Sequence, residues 1–445
     1  MKLPLSPPRL ESIIQDRLGD YVSVLARGIG PEVAGVYLHW DRLRHLNPPE
    51  GLDHDLWWLA IRQARQAIAK RLPLHDTQGR AFAVSVTDSL HRRLHFLDRE
   101  AAGSILGLSP DDGRNERDRY LIRSLIEEAM TSAQLEGAST TREVAKDMLH
   151  SGRQPRDTSE QMIYNNYLAM RQLQDWRQHT LTPEAVFEIH RLLTQDTLDD
   201  PGAAGRFRRA DEAIRVYDHR DGTILHEPPP ADQLPRRLRA LCDFANAADG
   251  EDFLHPVLRG IALHFQLGYD HPFVDGNGRT ARALFYWSML RSGYWLTEYL
   301  SISSVLKKAP SQYARAFLYT ETDGADLSYF ADHQLQTLEA AVNGLRDYVA
   351  RKTRERQQAE TLLKPSSAFG ARFNHRQREL LLDALRHPDK HYRIAIHQSE
   401  QRVTYQTART DLLGLESAGL LQRQQRGNAY VFRPVANLAQ RLEHD

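Results

Sequence analysis

Twelve consecutive residues, His271-Pro272-Phe273-Val274-Asp275-Gly276-Asn277-Gly278-Arg279-Thr280-Ala281-Arg282, constrain this chain more than any other stretch. They place an imidazole, a carboxylate, two glycines, an amide and two guanidiniums directly before an apolar run, Ala283-Leu284-Phe285-Tyr286-Trp287, which reads as a helix. A loop therefore feeds a helix N-terminus. Gly276 and Gly278 permit positive φ and carry no Cβ, so successive N–H groups can converge on one centre as an anion nest. The helix beginning near Arg279 adds unpaired N–H groups and the positive end of its dipole. Phosphate is the natural guest. Arg279 and Arg282 stand three apart, on one helix face, and two planar forks beside a nest suit a polyphosphate better than one carboxylate. Asp275 would repel that phosphate unless a divalent cation lay between them, which implies Mg2+ held by one carboxylate, phosphate oxygens and water. His271 is the group whose reference pKa lies near neutral, so it is the candidate base.

The same twelve residues resemble the signature of the Fic family, H-x-F-x-D/E-G-N-G/K-R-x-x-R, with every fixed position matched. The resemblance implies a mainly helical core that binds ATP and Mg2+ over this loop and moves AMP onto a protein hydroxyl. Carried onto this chain, it implies His271 as base, Asp275 as magnesium ligand and Gly276 to Gly278 as the cradle of the α and β phosphates. Asn277 would also orient the α-phosphate, Arg279 and Arg282 would hold the outer phosphates, and Phe273 would anchor the loop in the core.

Upstream, a helix from about 117 to 137 carries Leu125, Ala129, Ser132 and Glu136 on one stripe. A carboxylate continuing an apolar stripe needs a cationic or hydrogen-bonding partner, because burying it alone costs several kcal/mol. Gly137 ends this helix, and Thr140 with Glu143 predicts a capping box for the next. Ser132-Ala133-Gln134-Leu135-Glu136-Gly137 resembles the S/T-x-x-x-E-G/N inhibitory motif of Fic proteins that carry their own inhibitory helix N-terminal to the core. By that likeness Glu136 pairs with Arg282 and spoils the γ-phosphate site. In some relatives such a glutamate also supports removal of AMP.

The rest of the chain is organised around these two stretches. Length admits two to four domains, and 41% apolar with 26% charged residues is an ordinary globular mix. Formal net charge is zero, which gives no global argument for a nucleic-acid or acidic-membrane partner. The single cysteine, Cys242, cannot form an internal disulfide and reads as a small buried side chain. No signal-peptide pattern opens the chain and no run of about 18 apolar residues occurs, so the expectation is a cytoplasmic protein without a membrane partner.

Periodicity predicts helices over about 9–27 and over Leu56–Leu72, the second ended by Pro73. A strand follows through Phe82, Val84 and Val86, then a helix with Leu90, Leu94 and Leu97. Residues 1–110 are thus expected as a mainly helical accessory domain and 111–362, opened by Asp111-Asp112-Gly113, as the core. Ala213 to Tyr217 faces Thr223 to His226 across Asp221-Gly222, which predicts a β-hairpin. In the Fic family a hairpin here acts as a flap holding the target by strand addition, which singles out Ile214, Val216 and Ile224. From Leu254 to Tyr269 a helix leads into the loop. On it His264 reads as a satisfied core histidine, and further on Tyr313 is a candidate wall for the adenine. A break at Pro365-Ser366-Ser367-Ala368-Phe369-Gly370 introduces a module, residues 363–445. It has a helix from His375 to Leu385, a short strand from Arg393 to Ile396, a helix from Thr404, and two strands around Gly427-Asn428. That order resembles a winged helix, whose DNA-binding members would expose Thr404, Tyr405, Gln406 and Arg409. Twelve Lys/Arg against eight Asp/Glu over 371–445 make it only mildly basic, which leaves DNA and a protein equally open as its partner.

Two classes of function follow. One is an autoinhibited protein adenylyltransferase acting on a Ser, Thr or Tyr hydroxyl of a protein, itself included. The other is a DNA-binding regulator that senses nucleotide in the same pocket. Relatives with this loop also resemble transferases using another nucleotide or a phosphocholine donor, and Fic proteins are often homo-oligomers.

Overall fold

The computed structural model describes residues 2–102, 114–218, 220–248, 250, 253–364, 367, 370–388, 390–426 and 429–444. Asp111-Asp112-Gly113, the turn at Gly427-Asn428 and most of the 365–369 break lie outside the described residues. The chain forms two compact units, one of residues 1–105 with 118–343 and one of 106–117 with 344–445. The fold is mainly helical.

The predicted first helix is present as α1 (Leu10–Asp16) and α2 (Leu18–Leu25), interrupted at Arg17. After α3 (Trp40–Leu43) comes α4 (His54–Ala67), started by the Asp53 side chain accepting the Leu56 N–H at 3.0 Å. The expectation that this helix runs to Leu72 is corrected. From Ala69 to His75 the chain is strand β1, paired antiparallel with β2 (Ala81–Ser85). Leu72 and Leu74 are buried while Arg71, Pro73 and His75 between them are exposed, so here the period is two. The helical stripe ended earlier because burying Leu72 and Leu74 on one sheet face satisfies both. Strand β2 and helix α5 (Asp88–Ala101) occur as expected. Ala83 of β2 exchanges backbone hydrogen bonds with Ala325 and Leu327, so the N-terminal hundred residues pack within the same unit as the loop.

Helix α6 (Arg114–Leu135) carries the expected stripe, with Leu125 and Ala129 buried and Ser132 5% exposed. Gly137 follows at φ +98, a conformation that suits glycine and breaks the helix. The next helix, α7 (Arg142–Ser151), is capped by Thr141, which accepts from the Val144 N–H, rather than by Thr140. Helices α8 (Thr158–Trp176) and α9 (Pro183–Thr194) follow. The hairpin is shorter than the sequence pattern implies: β3 (Val216–Tyr217) pairs antiparallel with β4 (Ile224–His226).

After α10 (Leu234–Asn246), helices α11 (Pro256–Asp270) and α12 (Asn277–Arg291) are buried around most of their circumference. A helix buried on every side must have its polar groups paired inside the protein, and α12 is packed against α8, α9 and α11. The twelve-residue stretch supplies the loop between these two central helices, residues 271–276, and the start of α12. It is therefore mounted on the buried centre of the unit. Helices α13 (Ile302–Leu306), α14 (Pro310–Thr322) and α15 (Ser328–Leu362) complete this part of the chain.

In the second unit, α16 (His375–Arg386) opens with a capping box between Asn374 and Gln377. The expected strand at 393–396 is corrected: Tyr392 makes a single bridge to Phe432, and Ile394–Gln401 is helix α17. Buried Ile394 and His397, three apart, follow the helical period. Thr404 caps α18 (Tyr405–Ser417), whose Ala408, Leu412 and Leu415 are fully buried. Strands β5 (Leu421–Arg426) and β6 (Ala429–Pro434) pair antiparallel before α19 (Leu438–His444). Thr404, Tyr405, Gln406 and Arg409 are all exposed at the leading end of α18. No helix among the described residues is long and apolar enough to cross a membrane.

Candidate active site

The loop owes its shape to bonds that its own residues make. Phe273 is fully buried and stacks on His190 of α9, ring centroids 3.8 Å apart. His190 accepts the Gly205 N–H on Nδ1 at 2.9 Å, which leaves Nε2 protonated to donate to the Asp275 carbonyl at 2.9 Å. Burial pulls its pKa down to about 4, so it is a neutral brace. Gly276 sits at φ +78, where a Cβ would lie 2.7 Å from Thr194 Cγ2, so glycine is required on both conformational and steric grounds. The Asn277 amide is spent on the loop itself. Its Oδ1 accepts the Phe273 N–H and its Nδ2 donates to the Phe273 carbonyl, both at 2.9 Å. Asn277 is thus a clamp on the loop.

His271 occupies the left-handed region at φ +45, a conformation uncommon for a residue with a Cβ. Its Nδ1 lies 3.0 Å from the Gly268 carbonyl and must donate to it, which leaves Nε2 as the accepting nitrogen. Burial lowers the pKa of this ring, so at neutral pH it is poised as a base. The frame around it is tied down. Arg208 donates Nε to the His271 carbonyl and its own N–H to the Pro272 carbonyl, each at 2.8 Å.

Beyond the loop, Thr280 is the first residue of α12 to close a helical bond, to the Gly276 carbonyl at 2.9 Å. The N–H groups of residues 277–279 therefore precede the ladder and form the positive end of a long helix. Arg282 is buried and donates Nε to Ser132 Oγ at 2.9 Å. Its NH2 bonds the Ser132 carbonyl at 3.0 Å and Glu136 Oε1 at 2.7 Å. A Cβ on Gly278 would collide with that same Glu136 oxygen, so the carboxylate rests over the first turn of α12. Burial works to raise the Glu136 pKa, but the Arg282 charge and bond, with Arg279 and His271 behind them, outweigh it and hold it below the usual range. An anion already lies where the nest would receive one.

Arg279 is engaged by the protein itself. It is 1% exposed, donating to the Leu193 carbonyl and to Asp275 Oδ2 at 2.8 Å each. Arg282 alone of the two thus reaches Glu136, and Arg279 orients Asp275. The Asp275 side chain is 52% exposed, and its Oδ1 makes no hydrogen bond among the described residues. One open carboxylate beside an anion nest fits Mg2+ bound together with a nucleotide; no group of three acidic, His or Cys ligands is gathered among the described residues. The hairpin lies beside the loop, because His226 at the end of β4 bonds the Tyr269 carbonyl at 2.6 Å. Ile214 and Val216 are half-buried and Ile224 is 39% exposed. His264 is only half satisfied: Nε2 meets the Tyr313 hydroxyl at 2.8 Å while buried Nδ1 has no partner among the described residues, and burial pushes its pKa down to about 3. Tyr313 spends its hydroxyl on that ring. Cys242 is buried.

Sequence reading overlooked His190, Arg208 and Glu128. Glu128 lies one and two helical turns from Ser132 and Glu136 on the same stripe and is 2% exposed. It accepts from Ser301 Oγ at 2.9 Å and from Ser303 N and Oγ at 3.1 and 2.5 Å. The Glu128-Ser132-Glu136 spacing was the available signal.

The arrangement defines a class first: a helical domain with an anion nest at a buried helix N-terminus and a histidine on its rim. Residues 180–289 match the Fic/DOC family, and the chain carries a Fic domain. It is 34% identical over 118 residues to the protein adenylyltransferase Fic of Nematostella vectensis, covering 26% of this chain and 25% of that one. Its identity to the protein adenylyltransferase Fic of Drosophila willistoni is 33% over 114 residues, or 26% and 20% of the two chains. The chain spans about a quarter of the length of the curated relatives it matches. A crystal structure of a Fic family protein from Desulfovibrio desulfuricans G20 superposes with a TM-score of 0.49 at 20% identity, covering 78% of this chain and 96% of that one.

Proposed function

We propose that this chain is a protein adenylyltransferase held down by its own Glu136. It would move AMP from ATP to a Ser, Thr or Tyr hydroxyl of a protein, itself included. The observation that supports this reading best is the ring of His271: Nδ1 is committed to Gly268 and Nε2 is left to accept, beside the free N–H groups that open α12. In the reaction His271 Nε2 takes the proton of the target hydroxyl, whose oxygen forms a bond to the α-phosphorus. The bond from that phosphorus to the bridging oxygen breaks, and pyrophosphate carries the electron pair away. The nest at Gly276 to Gly278 receives the charge that develops on the α-phosphate, and Arg282, once freed from Glu136, meets the outer phosphates. Mg2+, held by Asp275, would neutralise charge on the departing pyrophosphate.

Inhibition follows from occupancy. Glu136 and the terminal phosphate are anions competing for Arg282 and for one helix N-terminus, and Ser132 with Gly137 fixes where the glutamate stands. The hairpin, through Ile214, Val216 and Ile224, would hold the target segment beside the loop, and Glu136 would serve a second reaction, removal of AMP, by activating water at the same place. The remaining features of this reading are a division at 1–110, 111–362 and 363–445, a cytoplasmic setting and a homo-oligomer. The second unit would bind DNA through α18. Arg393, Arg402 and Arg409, exposed and without a salt bridge among the described residues, favour that. A DNA mobility shift whose affinity falls with salt, and falls further in Arg409→Ala, tests it.

Transfer from α-labelled ATP with Mg2+ tests the main reading in the native chain, in Glu136→Gly and in Glu136→Gly with His271→Ala. Strong label is expected only when Glu136 alone is removed. ATP binding without label in all three would overturn self-modification and turn the search to another donor or to nucleotide sensing.

A further inference from the structure

His226 closes the hairpin's second strand, and both of its ring nitrogens face acceptors. Nδ1 lies 2.8 Å from Glu321 Oε2 on α14, and Nε2 lies 2.6 Å from the Tyr269 carbonyl on α11. A carboxylate and a carbonyl can only accept, so both nitrogens must carry a proton for both bonds to exist. The ring is nearly enclosed, its side chain 8% exposed, and it rests against the Tyr269 ring with centroids 4.6 Å apart.

The carbonyl it holds is one of the last in α11, a group that the helix itself leaves unpaired and that carries the negative end of the helix dipole. Two residues later the backbone enters the left-handed turn of His271. A non-glycine residue in that region persists only where its surroundings over-determine it. Here they do. The carbonyls of Gly268, Tyr269, His271 and Pro272 are taken in turn by His271 Nδ1, His226 Nε2, Arg208 Nε and the Arg208 N–H.

We infer that His226 is a positioning residue for transfer: an imidazolium that clamps the hairpin's second strand to the end of α11 and so aims the ring of His271. The inference rests on the transferase reading for its kinetic consequence, while the protonation of the ring stands apart from it. The groups around His226 are Glu321 from α14, Tyr269 and Asp270 from α11, with Asp270 paired to Arg237 of α10, and His271 at the turn. Burial works to lower the pKa of His226, but the Glu321 bond and charge, the Tyr269 carbonyl and Asp270 outweigh it and raise it. The charge on His226 in turn helps to keep His271 neutral. Because the folded-state pKa of His226 is raised, its contribution is complete below the ordinary histidine range and is lost as pH rises through the folded value.

The test uses the full chain carrying Glu136→Gly, with His226→Gln and Glu321→Gln added separately, and follows self-labelling from α-labelled ATP across pH. Glutamine at 226 can still donate one N–H to Tyr269 but brings no charge. Glu321→Gln leaves His226 in place and removes its counter-charge. Expected for His226→Gln is a fall in the maximal rate of roughly tenfold or more, because small displacements of a reacting group are costly. The half-saturating ATP concentration should stay within about twofold, since no phosphate-binding group is touched. The acid limb should move to higher pH as His271 loses its charged neighbour, and the alkaline loss that titrates His226 should vanish. Glu321→Gln should bring that alkaline loss to lower pH. A purely structural role would lower the rate at every pH and move neither limb, and that result overturns the proposal. Nitrogen-15 spectra of histidine-labelled protein, assigned by the signal missing in His226→Gln, supply a readout that needs no turnover. Two ring protons on His226 at neutral pH are expected, and one would refute the inference. A parent variant that labels nothing overturns self-modification and leaves the ring spectrum to decide on His226.

Discussion

Replacing Glu136 by glycine should loosen the empty protein and tighten it around ATP, and both effects come from one bond. In the folded chain Glu136 Oε1 accepts from Arg282 NH2 at 2.7 Å, and Arg282 keeps its two bonds to Ser132 when the glutamate is gone. The loss is therefore one charge-assisted hydrogen bond, with no guanidinium left stranded. The glutamate side chain is 27% exposed, which places the loss toward the lower end of the usual 1.5–3 kcal/mol for such bonds, at ~1.5–2 kcal/mol. For a unit of this length that lowers the unfolding temperature by about 2–3 °C. A ligand that must displace Glu136 from Arg282 bears the same free energy in the native chain, and the glycine variant relieves it. ATP should then bind roughly ten- to thirtyfold more tightly. ADP, lacking the terminal phosphate, should change by less than about threefold. Calorimetric titration with Mg2+, in a His271→Ala background that prevents turnover, measures both. Equal tightening of ATP and ADP, or none for ATP, would refute the claim that the carboxylate and the terminal phosphate compete for one guanidinium.

Three further outcomes are expected. Asn277→Ala removes both bonds that close the loop on Phe273 and leaves a buried N–H and carbonyl unpaired. It should cost about 2–4 kcal/mol, read by chemical denaturation, and speed hydrogen exchange over residues 271–277. His190, held near a pKa of about 4 by burial, takes up its proton in the unfolded chain before it does in the folded one. Stability should therefore fall as pH drops from the ordinary histidine range toward 4, and His190→Gln should flatten that part of the curve in thermal unfolding from pH 7.5 to 4.5. His271 is also lowered, so transfer by Glu136→Gly should persist below the ordinary histidine pKa; an acid limb above it in a pH–rate profile would contradict a buried neutral base.

Much of the site was legible because its residues are neighbours in sequence. Two glycines, an amide and a helix start define a nest through backbone geometry alone, and Gly276 at φ +78 is where that reasoning met its clearest match. The Glu136 stripe was equally readable, since helical spacing aligns it with Ala129 and Ser132 wherever the helix packs. Side-chain destinations were harder. Arg279 and Arg282 share a face by spacing, yet one is absorbed by Leu193 and Asp275 and the other by Ser132 and Glu136. Asn277 turned inward because the loop's own backbone needed partners. The strand at Ala69–His75 and the helix at Ile394–Gln401 were misread for a related reason: short apolar pairs satisfy either period, and their packing partners choose between them.

Local chemistry therefore determined where an anion would bind, which group would act as base, and which helix bore the opposing carboxylate, because each depends on residues a few positions apart. Tertiary structure decided the rest. Only the packing of α9, the segment around Arg208 and the hairpin against the central pair of helices brings His190, Arg208 and His226 to the loop from distant parts of the chain. No sequence spacing records that proximity, since it arises from burying faces whose partners lie scores of residues away.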